Sequence, residues 1–259
     1  MKGTVLITGA SSGIGWEFAL LFAEADYHVV AVARNEIKLK ELQLTVKDQY
    51  GTELDYIAKD LVQPQSVDEL IEEMKEKNYS IDYLVNNAGF GQFGSFLDTD
   101  GKEEMDMIIL NVSVLTHLSK QLLPNMVKKK HGGILNVAST ASFQPGPLMA
   151  VYYATKAYVL SFTEALANEM NGTGVTVTAF CPGPTSTGFE KRANLGTSKL
   201  FQKGVMDVQT ATKIGFRGFL QGKEIVIPGF KNRLLSRIVS FMPRKLVTKI
   251  VRKMQETRR

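Results

Sequence analysis

The chain is poor in the residues that bind metals or staple small folds. It has one cysteine, Cys181, and three histidines, His28, His117 and His131. A single cysteine forms no internal disulfide, which points to a reducing, cytoplasmic setting. The histidines stand far apart with no second cysteine at ligand spacing, so no metal is expected. No run of eighteen apolar residues occurs, which excludes a membrane-spanning helix, and the apolar run in "MKGTVLITGA" is too short for a signal peptide. Repeats, low-complexity tracts and linkers are missing as well.

Net charge is only +5, and it is unevenly placed. From Phe230 to Arg259 ten basic residues face one acid, Glu256, which leaves a mildly acidic body. That distribution argues against nucleic-acid binding and for a basic tail on a separate body.

What the chain does contain is alternation. Short runs rich in β-branched residues, at 4–7, 28–33, 54–58, 81–86, 133–138, 174–180 and 224–227, alternate with amphipathic segments. The helical segments fall near 14–26, 35–50, 66–77, 101–129, 151–171 and 207–221. Ser66 with Glu69, and Asp100 with Glu103, have helix-opening spacing, and Pro124 should kink or end the longest helix. This order predicts an α/β fold: a doubly wound, Rossmann-type parallel sheet of seven strands with helices on both faces. Residues 1–229 form one catalytic domain, and 230–259 form a basic amphipathic tail of the same unit. In such sheets ligands bind beyond the carboxyl ends of the strands.

The first strand runs into "TGASSGIG", residues 8–15. Gly9, Gly13 and Gly15 allow a tight turn and close backbone approach, and a helix start offers N–H groups to an anion, with Ser11, Ser12 and Ile14 around it. The second strand ends "AVARN", with Ala33 where an acid would bind a ribose hydroxyl and Arg34 next to it. Guanidinium pairs well with phosphate, which favours NADP(H) over NAD(H). Glu36 reads as a first-turn acid on a helix capped by Asn35.

On a helix both Tyr152 and Tyr153 neighbour Lys156, and geometry alone does not choose between them. The glycine turn, "NNAG" at 86–89, "NVAST" at 136–140 and "YYATK" at 152–156 stand in the order and spacing of the short-chain dehydrogenase/reductase family, compact branch. The resemblance runs from Lys2 to about Gly229. It selects Tyr152 as proton donor, Ser139 as the residue holding the carbonyl oxygen, Lys156 as ribose anchor, and Asn111 as holder of a relay water. It also implies cofactor contacts at Asp60, Asn87, Ala88 and Gly89, and at Pro182, Gly183, Thr185 and Thr187 in "CPGPTST". A phenol has an ordinary pKa of about 10, and an ammonium beside it and an oxidised nicotinamide would each depress that value.

Phe90, Phe93, Gln144, Met149, Tyr153 and Phe189 are the candidate pocket, mostly apolar, which predicts a hydrophobic ketone or aldehyde as substrate. Phe189 opens a loop expected to cover the site. The activity read from this set is NADPH-dependent carbonyl reduction. The alternative is a non-catalytic nucleotide-binding scaffold, which would not need Asn111, Ser139, Tyr152 and Lys156 together. A sugar-nucleotide epimerase shares the Tyr/Lys pair but carries a longer C-terminal lobe. A homodimer or homotetramer is expected. The tail carries apolar stripes at Leu235, Ile238, Val239 and Met242, then at Leu246, Ile250, Val251 and Met254, separated by Pro243. It should pack on its own body or a sister subunit, with peripheral contact to an anionic membrane as the other reading.

Overall fold

The computed structural model describes residues 2–189, 193 and 205–256. Seven strands are hydrogen-bonded in the order β3-β2-β1-β4-β5-β6-β7 among these residues, every pair parallel. They are β1 (Thr4–Thr8), β2 (His28–Ala33), β3 (Leu54–Ala58), β4 (Ile81–Asn86), β5 (Gly132–Val137), β6 (Val175–Phe180) and β7 (Ile225–Val226). Crossover helices connect them: α1 (Gly13–Glu24), α2 (Glu36–Tyr50), α3 (Ser66–Glu76), α4 (Gly101–Ile108), α5 (Leu115–Lys129), α6 (Ala150–Glu169) and α7 (Val208–Leu220). Two tail helices follow, α8 (Phe230–Phe241) and α9 (Arg244–Gln255).

Central strands are apolar on both sides because each face is covered. Val5, Ile7, Phe18, Phe22, Val29 and Phe180 fill one core layer, and Leu6, Val30, Leu70, Leu84, Leu118 and Ile134 the other. A buried polar ladder crosses the sheet near its carboxyl end. Asn86 Nδ2 donates to Asn136 Oδ1 at 2.9 Å, and Asn136 Nδ2 donates to Thr163 Oγ1 at 3.0 Å. These bonds tie the end of β4 to β5 and α6, the elements that carry the chemistry.

Local expectations met different fates. Asp100 caps α4 by accepting from Glu103 N at 2.9 Å. Ser66 does not cap: it is the first residue of α3, and its hydroxyl donates to Leu61 O at 3.0 Å. Pro124 neither ends nor breaks α5, which runs on to Lys129 with the proline on its exposed side, where solvent can serve the freed carbonyl. The long helical run is interrupted earlier, by a π-helical turn at Ile109–Val114 that carries Asn111.

Candidate active site

The strand ends meet at one cavity of about 1570 Å³ that reaches from the glycine turn to the tail. Its nucleotide end is mostly backbone. Gly9 and Gly13 take left-handed φ values of 67° and 56°, where a side chain would be strained. A Cβ at Gly9 would also lie 2.8 Å from Ala88 Cα. Ser12 begins α1 without a side-chain cap, and no acid occupies the first turn. The helix therefore presents its N–H groups and positive dipole end to the cavity, which fits a pyrophosphate. Ser11, Ser12, Ile14, Asn87, Ala88 and Gly89 line the same end. Gly15 does not line the cavity. It is buried so that Asn87 Nδ2 can donate to Thr8 O at 2.9 Å and Gly9 O at 3.0 Å, holding β1 to β4.

Arg34 stands exposed at the edge of this cavity. Glu36 is taken up elsewhere: Lys40 Nζ lies 2.9 Å from its carboxylate and holds its pKa below the usual range, while Asn35 caps α2 by accepting from Lys38 N. Asp60 lines the cavity, and its carboxylate accepts from Val62 N at 3.3 Å. The ends of β2 and β3 thus bring one guanidinium and the Asp60 carboxylate to the cavity edge.

Ser139, Tyr152 and Lys156 come together on the cavity wall from the end of β5 and the first turns of α6. The two tyrosines diverge. The Tyr152 phenol faces the Ser139 side chain, whereas the Tyr153 phenol faces the amide of Gln255 in α9, whose two polar atoms are buried without a hydrogen-bond partner among the described residues. Burial pushes the Tyr152 phenol up to about 12, with Ser139 opposing the rise. That reverses the depression expected from the sequence. Lys156 Nζ donates to Val137 O at 2.7 Å and lies 5.9 Å from the Tyr152 ring centroid, while burial remains the dominant influence on the phenol. The same burial lowers Lys156 to about 8. Cys181 sits fully buried nearby with its thiol raised to about 12, and is therefore inert.

Asn111 lies behind the wall rather than on it. Its Oδ1 accepts from Phe90 N at 3.1 Å, and its Nδ2 donates to Phe90 O at 3.0 Å and Thr155 Oγ1 at 3.1 Å. Its amide clamps the segment that leaves β4. A Cβ at Gly89 would come within 2.8 Å of that Oδ1 and 3.7 Å of Lys156 Nζ, so this glycine lets the clamp sit beside the lysine.

Of the expected pocket, Gln144, Met149, Tyr153 and Phe189 line the cavity. Phe90 is buried with its backbone held by Asn111, and Phe93 packs against the Met149–Tyr153 cluster without reaching the cavity. Pro182, Gly183, Thr185 and Thr187 line the cavity across from the glycine turn. The loop expected after Phe189 falls at 190–192 and 194–204, outside the described residues.

The tail packs on its own body, one of the two placements expected, and the sequence reading missed that it walls the cavity. Val247 and Val251 of α9 are buried against Ala141, Met149 and Tyr153, and α8 packs on the turn after Ser139. Leu235, Ile238, Val239, Met242, Ile250 and Met254 complete the far wall. The amphipathic stripes were the available signal, but a stripe says only that a partner exists.

A short chain dehydrogenase family model matches residues 3–197. An oxidoreductase of Bacillus subtilis is 36% identical over 185 residues, 71% of this chain and 68% of its own length. The very-long-chain 3-oxoacyl-CoA reductase of Laccaria bicolor is 34% identical over 179 residues, 66% of this chain, which spans about half of that relative's length. Among solved structures, a short-chain dehydrogenase from Sphingobium yanoikuyae in complex with NADPH superposes with a TM-score of 0.83 at 31% identity, covering 98% of both chains. The bulky-bulky ketone specific alcohol dehydrogenase of Comamonas testosteroni gives 0.77 at 29% identity, covering 93% of this chain and 95% of that one.

Proposed function

The chain belongs to the short-chain dehydrogenase/reductase family, and from that membership we propose that it reduces the carbonyl of a hydrophobic small molecule to an alcohol with NADPH. The observation that carries this reading is the placement of Ser139, Tyr152 and Lys156 on the wall of the same cavity that the glycine turn lines.

NADPH, when bound, supplies the hydride that reaches the carbonyl carbon. The glycine turn would hold its pyrophosphate, Arg34 its 2′-phosphate, and Lys156 its ribose hydroxyls. Pro182, Gly183, Thr185 and Thr187 would face its carboxamide. Ser139 holds the substrate oxygen through its hydroxyl, an oxyanion-hole type of contact. Tyr152 gives its phenolic proton to that oxygen as negative charge develops there, so the C=O bond becomes C–OH and the phenolate remains. A phenol raised to about 12 stays protonated near neutrality, the form a proton donor needs. Lys156 is the cation that steadies the phenolate after transfer. Asn111 keeps the Phe90 backbone, and through it this wall, in place.

The relatives support the substrate class in words only: one is named a 3-oxoacyl-CoA reductase and another is described as specific for bulky ketones. The tail and the Met149–Tyr153 cluster give this chain an apolar wall suited to either shape. A homodimer or homotetramer belongs to the same proposal, supported by apolar side chains left at the surface of α4 and α6, Met105 and Tyr158. So does a cytoplasmic or membrane-peripheral location.

The test is NADPH oxidation against carbonyls graded by chain length and ring content. The proposal expects turnover that rises with apolar bulk and exceeds that with NADH. NADPH binding without turnover on any carbonyl would favour the scaffold reading.

A further inference from the structure

The tail helices cover the cavity with one face and leave a second apolar face without a partner among the described residues. On α8 the residues Phe230, Leu234, Ile238 and Phe241 follow a helical repeat and are 76%, 47%, 43% and 90% exposed. On α9 the stripe Leu246, Ile250 and Met254 runs beside the buried Val247–Val251 stripe and is 46%, 41% and 46% exposed. Leu235, Ile238, Ile250 and Met254 both line the cavity and reach the surface, so they form its rim. An apolar rim open to water is costly unless something covers it.

Charge identifies the cover. Lys231, Arg233, Arg237, Arg244, Lys245, Lys249, Arg252 and Lys253 are all exposed on the same two helices. Within α8 and α9 no acid answers them, and Glu256, just past α9, is taken by Arg252 Nε at 2.9 Å. A second copy meeting these helices with the same face would bring like charge to like charge. An anionic lipid surface complements both properties, taking apolar side chains at the acyl boundary and ammonium or guanidinium groups at the headgroups. No helix among the described residues is long and apolar enough to cross a membrane, so contact would be interfacial.

We infer that α8 and α9 dock on an anionic lipid surface with the cavity rim facing it, so that hydrophobic substrate enters from the lipid. The docking stands on the tail alone; the delivery clause rests on the reductase reading.

Co-sedimentation with phosphatidylcholine vesicles, with and without phosphatidylglycerol, tests the docking. The full chain should bind anionic vesicles about tenfold or more tightly than neutral ones and release them at high salt. Leu234→Ser/Phe241→Ser, two exposed positions outside the cavity lining, should weaken that binding about tenfold. Its kcat/KM for a water-soluble ketone should stay unchanged, while KM for a long-chain ketone presented in vesicles rises. Equal binding to neutral and anionic vesicles, or binding indifferent to the double substitution, would overturn the docking. A drop in oligomer mass caused by the substitution would overturn it too, since the face would then join two copies. Vesicle binding is read without turnover, so an inactive protein that still binds anionic vesicles would count against the reductase and not against the docking.

Discussion

The two ends of the cavity are built differently. At the nucleotide end the wall is main chain: glycines in left-handed conformation, the uncapped start of α1, and the turn after β4 tied to β1 by Asn87. At the substrate end the wall is side chains from distant segments, with Met149 and Tyr153 of the α6 start facing Val247 and Val251 of α9. The first construction recognises what is constant in a dinucleotide, its phosphates and hydroxyls. The second can change without disturbing the first. On the proposed function, cofactor identity and substrate identity would be set by separable residues.

Stability against pH gives the largest expected effect, because it reads Lys156, a buried lysine on the wall between the two ends. Lys156 falls from an ordinary 10.5 to about 8. Between those values the unfolded chain binds the proton more readily than the folded one, so stability rises with pH from about 8 to about 10.5. Below about 8 the buried charge costs its full amount, up to roughly 3 kcal/mol. Without cofactor, Lys156→Met should exceed the wild type in stability near neutrality, and the gap should close across that window. Denaturant unfolding at stepped pH measures it, and a constant gap would mean that Lys156 is not desolvated.

Arg34→Asp tests the nucleotide end. Loss of the guanidinium and gain of a carboxylate should cut the NADPH-over-NADH ratio of kcat/KM by about thirtyfold, about 2 kcal/mol. The KM for the carbonyl should not change. If it moves with the cofactor preference, the two ends are not separable.

The mirror experiment is smaller. Val247→Ser/Val251→Ser loosens the tail wall and should raise KM for a bulky ketone about tenfold. NADPH affinity, read by protein fluorescence, should stay within a factor of about two. Loss of both affinities would show that the tail supports the whole cavity.

The same contrast explains what could be read from the chain. The glycine turn and the strand order are legible because turn chemistry and strand periodicity are local, whereas the Ser139–Tyr152–Lys156 set is legible only through its resemblance to the motifs of the short-chain family. Their neighbours in space follow from a parallel sheet whose strand ends converge. The Asn111 clamp on Phe90 is not legible, since it depends on a π-helical turn that aims one amide at one backbone segment 21 residues away. Ser66 matched a capping pattern, but Leu61 O competes for its hydroxyl. Nor does the sequence show that Tyr153 packs against Val247 and Val251 of the tail. The tail stripes announce burial without naming the surface they bury against.

The account turns on which phenol donates the proton. Single-turnover stopped-flow of NADPH oxidation with a reducible ketone, comparing Tyr152→Phe with Tyr153→Phe, asks this directly. Tyr152→Phe should slow the step by about a hundredfold or more while leaving NADPH binding intact, and Tyr153→Phe should stay within a few-fold of wild type. A fast Tyr152→Phe beside a slow Tyr153→Phe would contradict the account.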